Sequence, residues 1–257
     1  MTRTISVVTA AYRPVPEYLL TAYESLAAQG MPDGWAWQWV IQEDDQAGEV
    51  ERILPPGDDR ISVAGGRHSG ASIARTMCLA RATGELVKVL DADDVLTPGA
   101  LARDIAVLEG HPEVGWATSR VLDLLPDGSM TGFDDDPPPG VIEAGSLLDH
   151  WREHDYRPRV HPVTLCARRC LVVMLGGWMP LPASGDTGLL LALSAVSAGY
   201  FIGDPGLLYR KWPGQATAQP GYNEPAERAA RMRIIEARAI ALAALRQQHQ
   251  PVTSPLP

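Results

Sequence analysis

Short apolar runs alternate with helical segments between residues 5 and 110, and that rhythm leaves few folds open. ISVVTA (5–10), WAWQWVIQ (35–42), ISVAG (61–65) and ELVKVL (85–90) read as strands. Between them, EYLLTAYESLAAQG (17–30) places Leu19, Tyr23, Leu26 and Ala27 on one helical face, with Gly30 as the stop. A second helix is expected from about Ala71 to Ala82, ending at Gly84. A third, TPGALARDIAVLEG (97–110), turns Leu101, Ile105 and Leu108 inward, with Thr97 as cap and Pro98 at the first helical position. The implied architecture is α/β, a mainly parallel sheet flanked by helices.

After residues 114–119 the pattern changes. LLPDGSMTGF (124–133) carries a Pro-Asp-Gly turn between strand-like pieces, and DDDPPPG (134–140) reads as a solvated loop, since prolines remove donors and the aspartates repel. A helix near 145–154, a strand around HPVTLCARR (161–169), an apolar helix after Asp186 and an amphipathic arginine-rich helix from about Glu224 to Gln247 follow. The tail PVTSPLP is expected to be disordered. The expected organisation is one domain over 1–223, in two halves (1–119 and 120–223), then a C-terminal helix and tail over 224–257.

The net charge of −9 argues against a nucleic-acid binder, because no basic face is rich enough to neutralise a phosphate backbone. Cys78, Cys166 and Cys170 are a sparse, odd set, consistent with reduced thiols and a cytoplasmic home; Cys166 and Cys170 read as buried small apolar residues. No signal peptide is visible, and the longest apolar stretch, 188–199, is too short to span a bilayer, although peripheral attachment at a membrane stays open.

The chemistry concentrates at strand exits. VKVLDADDVLTP (87–98) stops an apolar run at Asp91, Asp93 and Asp94, and neighbouring carboxylates repel unless a cation intervenes. Hard ions such as Mg²⁺ or Mn²⁺ prefer oxygen ligands, take one or two protein carboxylates and complete their shell with water and substrate phosphates. Asp44 and Asp45 close the second strand. In open α/β sheets ligands bind beyond the carboxyl ends of strands, so these clusters are expected to share one crevice, although Asp44 and Asp45 also suit a plain turn cap.

The order of motifs resembles glycosyltransferase family 2, with the GT-A fold. SVVTAAYRP is similar to that family's first strand, with Ala10-Ala11-Tyr12-Arg13 replacing the usual Pro-Thr-Tyr-Asn. VIQEDDQ takes the place of the Asp-Asp-Gly-Ser turn whose acid contacts the nucleobase; Asp44 is the better match and Asp45 the other register. SGASIARTMCLARATGELVKVLDADD (69–94) resembles the Ala-Arg-Asn helix, Gly-Glu turn and Asp-X-Asp-Asp strand end, with Thr76 in the asparagine position. LGGWMPLPASGDTGLLLAL (175–193) is similar to the Gly-Gly-Trp segment and the Glu-Asp pair that supplies the base; here it reads Gly185-Asp186. YRKWPGQAT (209–217) resembles the late loop over the diphosphate, with Trp212 near a common histidine.

The resemblance covers about residues 4–218 and implies an inverting, metal-dependent transfer from a UDP- or dTDP-sugar to a hydroxyl of a small-molecule or glycan acceptor. It implies Asp186 as catalytic base and Asp93 with Asp94 at the Mn²⁺ or Mg²⁺. Ala10, Tyr12, Asp44, Asp45, Arg75, Asp91, Arg210 and Lys211 are the nucleotide-binding candidates. For Arg75 a helix-surface salt bridge competes with a phosphate contact. A sugar-nucleotide binder without transfer activity and a nucleotidyltransferase of the same fold are the alternatives, although the latter normally has a glycine-rich loop that AAYRPVPEY lacks.

Other readings fit less well. His150-Trp-Arg-Glu-His154 spells the H-x-x-E-H of an inverted zinc peptidase, with no third ligand in view. An aspartyl phosphatase needs its Asp-X-Asp at the first strand. DADDVL lacks the glycine and glutamate of a calcium loop, and GGRHSGAS lacks the lysine of a phosphate loop.

Overall fold

The computed structural model describes residues 2–249. In chain order its strands are β1 (Arg3–Ala11), β2 (Trp35–Glu43), β3 (Ile61–Gly65), β4 (Leu86–Val89), β5 (Val95–Leu96), β6 (Val114–Leu124), β7 (Met130–Thr131), β8 (Gly140–Ile142), β9 (Cys166–Arg168) and β10 (Ala198–Arg210). The helices are α1 (Pro16–Ala27), α2 (Glu49–Ile53), α3 (Ala71–Cys78), α4 (Ala100–Gly110), α5 (Ser146–Glu153), α6 (Arg169–Met174), α7 (Gly185–Val196) and α8 (Pro225–His249). All ten strands join one sheet, whose main path runs β3-β2-β1-β4-β9-β6-β10-β5, with β7 on β6 and β8 on β10.

The first half is the expected parallel block: β1 pairs in parallel with β2 and β4, and β2 with β3. The second half is mixed. Antiparallel β9 is wedged between β4 and β6, while β6 and β10 run parallel to one another. Successive side chains on a strand point to opposite faces, so Val7 joins one core with Leu19, Trp39 and Ile105, and Val8 the other with Val89, Trp116 and Leu189. β6 continues unbroken across residues 119 and 120.

Local differences from the sequence reading have physical causes. α1 ends at Ala27 rather than Gly30; Ala22 fills the buried position expected for Ala27, which is exposed. α3 ends at Cys78, with the turn continuing beyond it. Thr97 does not cap α4: the helix starts at Ala100 behind Gly99, whose φ of 74° favours glycine, and the Thr97 hydroxyl donates to the Pro205 carbonyl instead. β9 is only three residues long, because a 3₁₀ turn at Pro162–Thr164 takes up the start of the expected strand. Cys166 is buried as expected, but Cys170 is exposed on α6. The PVTSPLP tail lies outside the described residues.

Lys88 on β4 is fully buried, 2.7 Å from Asp104 of α4, and also donates to the Thr164 carbonyl at 2.7 Å. It ties the strand that carries the acidic exit to the turn beyond it. Removing one member of a buried ion pair leaves an uncompensated charge, so Lys88→Met is expected to cost about 3–5 kcal/mol. Lys88→Met with Asp104→Leu is expected to recover much of that loss, as read by urea unfolding at equilibrium.

Candidate active site

α3 and α7 meet at the exit of β4, and the contact is made of charge. Arg75 of α3 is buried, at 6% exposure. Its Nη1 donates to both carboxylate oxygens of Asp186, at 3.0 and 2.9 Å, and its Nη2 donates to Asp91. The indole Nε1 of Trp178 adds a 2.7 Å bond to Asp186. Burial pushes the Asp186 carboxyl up; Arg75 opposes that shift and Asp91 reinforces it, leaving the group above its ordinary range. Arg75, between two carboxylates, stays protonated. The arginine expected at a phosphate is thus engaged by two acids, and its ion pairs are largely buried rather than a surface bridge.

The approach is close because residue 185 is glycine. A Cβ there would lie 2.0 Å from the Ser72 hydroxyl. α3 and α7 therefore touch where the resembling family carries an acidic neighbour.

Asp93 accepts a 2.6 Å bond from the Trp212 indole, and burial and Asp91 together raise its carboxyl. Gly214 leaves room for that indole, since a Cβ would fall 1.9 Å from the ring. Asp94, expected beside Asp93 as a metal ligand, is fully buried. Its Oδ1 accepts the Arg210 amide at 2.9 Å, its Oδ2 has no hydrogen-bond partner, and burial and the two neighbouring aspartates push it well up. Its side chain thus pins the end of β10 instead of facing solvent.

Arg210 and Lys211 were expected at the diphosphate. Arg210 instead donates Nε to the Asp93 carbonyl and lies over the Tyr18 ring at 4.2 Å. Lys211 pairs with Asp123 at 3.2 Å. These contacts give the loop after β10 its hold on the acidic exit.

At the β2 exit, Asp44 accepts the amides of Ser69 and Gly70, at 2.7 and 2.9 Å, with His68 Nδ1 2.9 Å away. The carboxylate expected at a nucleobase therefore organises the turn before α3. Asp45 is half-buried; its carboxylate accepts its neighbour Gln46's amide and its carbonyl accepts the Gly66 amide. Tyr12, exposed, stacks on His68 with ring centroids 4.2 Å apart, forming an aromatic shelf above Asp44. Ala10 sits near the end of β1, opposite Gln42.

A cavity of about 1240 Å³ opens at the acidic exit, with Asp91 and Asp186 in its lining. Its other walls include Asp135 and Asp136 of the acidic loop, Tyr209, Tyr222 and His161. His150 and His154 also line it; their rings stack at 3.8 Å, and His154 Nδ1 lies 2.8 Å from the His150 carbonyl. Among the described residues no three His, Cys, Asp or Glu side chains form a group that could hold a metal by themselves. The H-x-x-E-H segment thus forms part of a cavity wall. Trp178 belongs to the Gly-Gly-Trp segment and reaches Asp186 from eight residues away, whereas His161 did not stand out in the sequence, since it joins the site through packing between distant segments.

Residues 6–132 match the family model described as Glycosyl transferase family 2. An uncharacterized protein, y4gI of Sinorhizobium fredii (strain NBRC 101917 / NGR234), is 32% identical over 114 residues, covering 42% of this chain and 12% of that protein. This chain therefore spans a small part of that relative's length. Among solved structures, S. aureus TarS 1-349 in complex with UDP-GlcNAc matches with a TM-score of 0.72 at 17% identity, over 96% of this chain and 72% of that one. The complex of TarS 1-349 with UDP matches with a TM-score of 0.65 at 16% identity, over 96% and 71%. At these identities the likeness is one of fold.

Removing Arg75 leaves two adjacent carboxylates without their shared counter-charge. Arg75→Met is expected to destabilise the protein by about 3 kcal/mol, at the low end for buried pairs because both acids stay partly exposed. Arg75→Lys is expected to recover only part of that, since a single ammonium lacks the planar fork. Equilibrium urea unfolding of both variants checks this.

Proposed function

Residues 6–132 place this chain in glycosyl transferase family 2, and from that membership we propose a metal-dependent, inverting transfer of a sugar from a nucleoside diphosphate to an acceptor hydroxyl. The observation that carries this reading is the junction that Arg75 makes between Asp91 and Asp186, both of which line one large cavity. It puts an acid from the nucleotide-side strand and a candidate base from the second half on the two arms of one guanidinium.

Asp186 is the base. A carboxyl raised by burial is a better proton acceptor than an ordinary one, and Arg75 and Trp178 fix its orientation. The acceptor oxygen gives its proton to Asp186 as it attacks the anomeric carbon from the face opposite the leaving group. The bond from that carbon to the diphosphate oxygen breaks, and its electron pair leaves on the diphosphate. Attack from the opposite face inverts the anomeric centre.

The acidic exit suits a divalent cation. Its donors are all carboxylate oxygens, burial and then their mutual repulsion raise Asp93 and Asp94, and Asp94 Oδ2 lacks a partner. Asp93 with Asp91 would hold the ion, and Asp94 would add negative charge from behind. When bound, Mg²⁺ or Mn²⁺ offsets the charge developing on the leaving diphosphate.

The shelf of Tyr12 and His68 beside Asp44 is the proposed seat of the base, while Arg210 and Lys211 position the loop over the diphosphate. The UDP-GlcNAc complex of TarS supports a uridine donor, with a dTDP-sugar the second choice. The acceptor is a small molecule or glycan. No helix among the described residues is long and apolar enough to cross a membrane.

Thermal-shift titration with UDP, with and without Mn²⁺, tests the reading directly, because a ligand that binds only the folded state raises the melting temperature. The metal-dependent shift is expected to vanish in Asp93→Ala. Asp186→Asn is expected to keep nucleotide binding and lose about 10²–10⁴-fold in transfer rate. Because the base must be ionised and its pKa is raised, turnover is expected to fall on the acid side through an apparent pKa above the ordinary value of about 4. A pH–rate profile of the wild-type protein measures it.

A further inference from the structure

His161 lines the same cavity as Asp91 and Asp186. It is set in a turn that is clamped from below. The His161 carbonyl accepts the Thr164 amide at 3.1 Å and the Thr164 hydroxyl at 2.8 Å. The Thr164 carbonyl in turn takes the buried Lys88 ammonium. The strand that delivers Asp91 therefore also fixes the height of the His161 ring. From the other side, the ring packs against Tyr209 with centroids 5.0 Å apart, two residues before the loop that reaches Asp93.

Its hydrogen bonding assigns the tautomer. Nδ1 accepts the Val163 amide at 3.4 Å, so in the neutral ring the proton sits on Nε2. Burial and the nearby Lys211 keep the ring neutral, drawing its pKa down to about 4 against the opposing pull of Asp91. The site thus contains a neutral N–H donor with its other nitrogen occupied, in a wall that also carries Asp91 and Asp186. Such a group suits a sugar hydroxyl, which can accept from it while donating to a neighbouring carboxylate.

We propose that His161 is a specificity-determining residue that donates Nε2–H to a hydroxyl of the transferred sugar. The inference rests on the glycosyltransferase reading, because only that reading places the sugar between Asp91 and Asp186.

The test uses the full chain, with UDP-GlcNAc, UDP-glucose, UDP-galactose and dTDP-glucose as donor probes and UDP as the sugar-free control. For the donor that the wild-type protein binds best, His161→Phe is expected to keep the packing on Tyr209 and lose about three- to tenfold in affinity, the size of one neutral hydrogen bond. UDP affinity is expected to stay unchanged. The preference among donors that differ at one hydroxyl is expected to flatten, and His161→Gln, which retains an amide donor, to restore most of it.

Equal losses for UDP and for the sugar nucleotide would overturn the proposal, as would an unaltered donor preference or a change confined to the acceptor KM. If His161→Phe does not fold, His161→Asn and His161→Gln decide by the same comparison: restored preference in Gln alone supports the role, and identical behaviour overturns it. A wild-type protein that binds none of the four donors nor UDP overturns the glycosyltransferase reading, and this inference with it.

Discussion

Arg75 is the joint on which the site depends. Its two amino groups reach acids 16 and 111 residues away in sequence, and in doing so bind the exit of β4 to the first turn of α7. Two carboxylates at the mouth of a cavity would otherwise repel one another, and α7 would have no polar reason to lie against α3. The guanidinium converts that repulsion into a fixed spacing. Its planar fork suits the task, because it can serve two anions in different directions at once.

The remaining acids are held in a similar manner, each by a partner from a remote segment. Asp93 takes the Trp212 indole, Asp94 takes the Arg210 amide, and Asp44 takes two amides of the turn before α3. Beneath them, Lys88 and Asp104 form a buried pair that couples the acidic strand to the turn of His161. Much of the polar chemistry around the cavity is therefore scaffolding. The protein invests its charged groups in holding its own loops, and Asp91, Asp186 and His161 also line the cavity.

The parts of this arrangement legible in the sequence were the local ones. Apolar, β-branched runs announce β1, β2, β3 and β4, and those of β2 and β4 end in acids that mark a strand exit. Asp186 stood out as an acid opening an apolar helix. The second half was harder: β9 is three residues long, runs antiparallel, and owes its place to β4 and β6 on either side. Thr97 looked like a cap because threonine before proline so often is, yet Gly99 could adopt the left-handed turn and Pro205 offered the hydroxyl a better partner. Arg75, Arg210 and Lys211 were recognisable as cations in segments expected to meet phosphate, but no local pattern could reveal which anions inside the protein already claimed them. His161 enters the site only through contacts across the fold, and such contacts leave no periodic trace.

The tight seam between α3 and α7 has a consequence for how this site can diversify. With Ser72 pressed against Gly185, the two positions are sterically interlocked, and neither can gain volume while the other stands. Installing a second acid ahead of Asp186 demands a simultaneous reduction at residue 72, which also surrenders that hydroxyl's bond to Leu181. Lineages or engineers exploring this helix start must cross in paired steps, so residue 185 is hemmed in by geometry before any chemical selection acts on it.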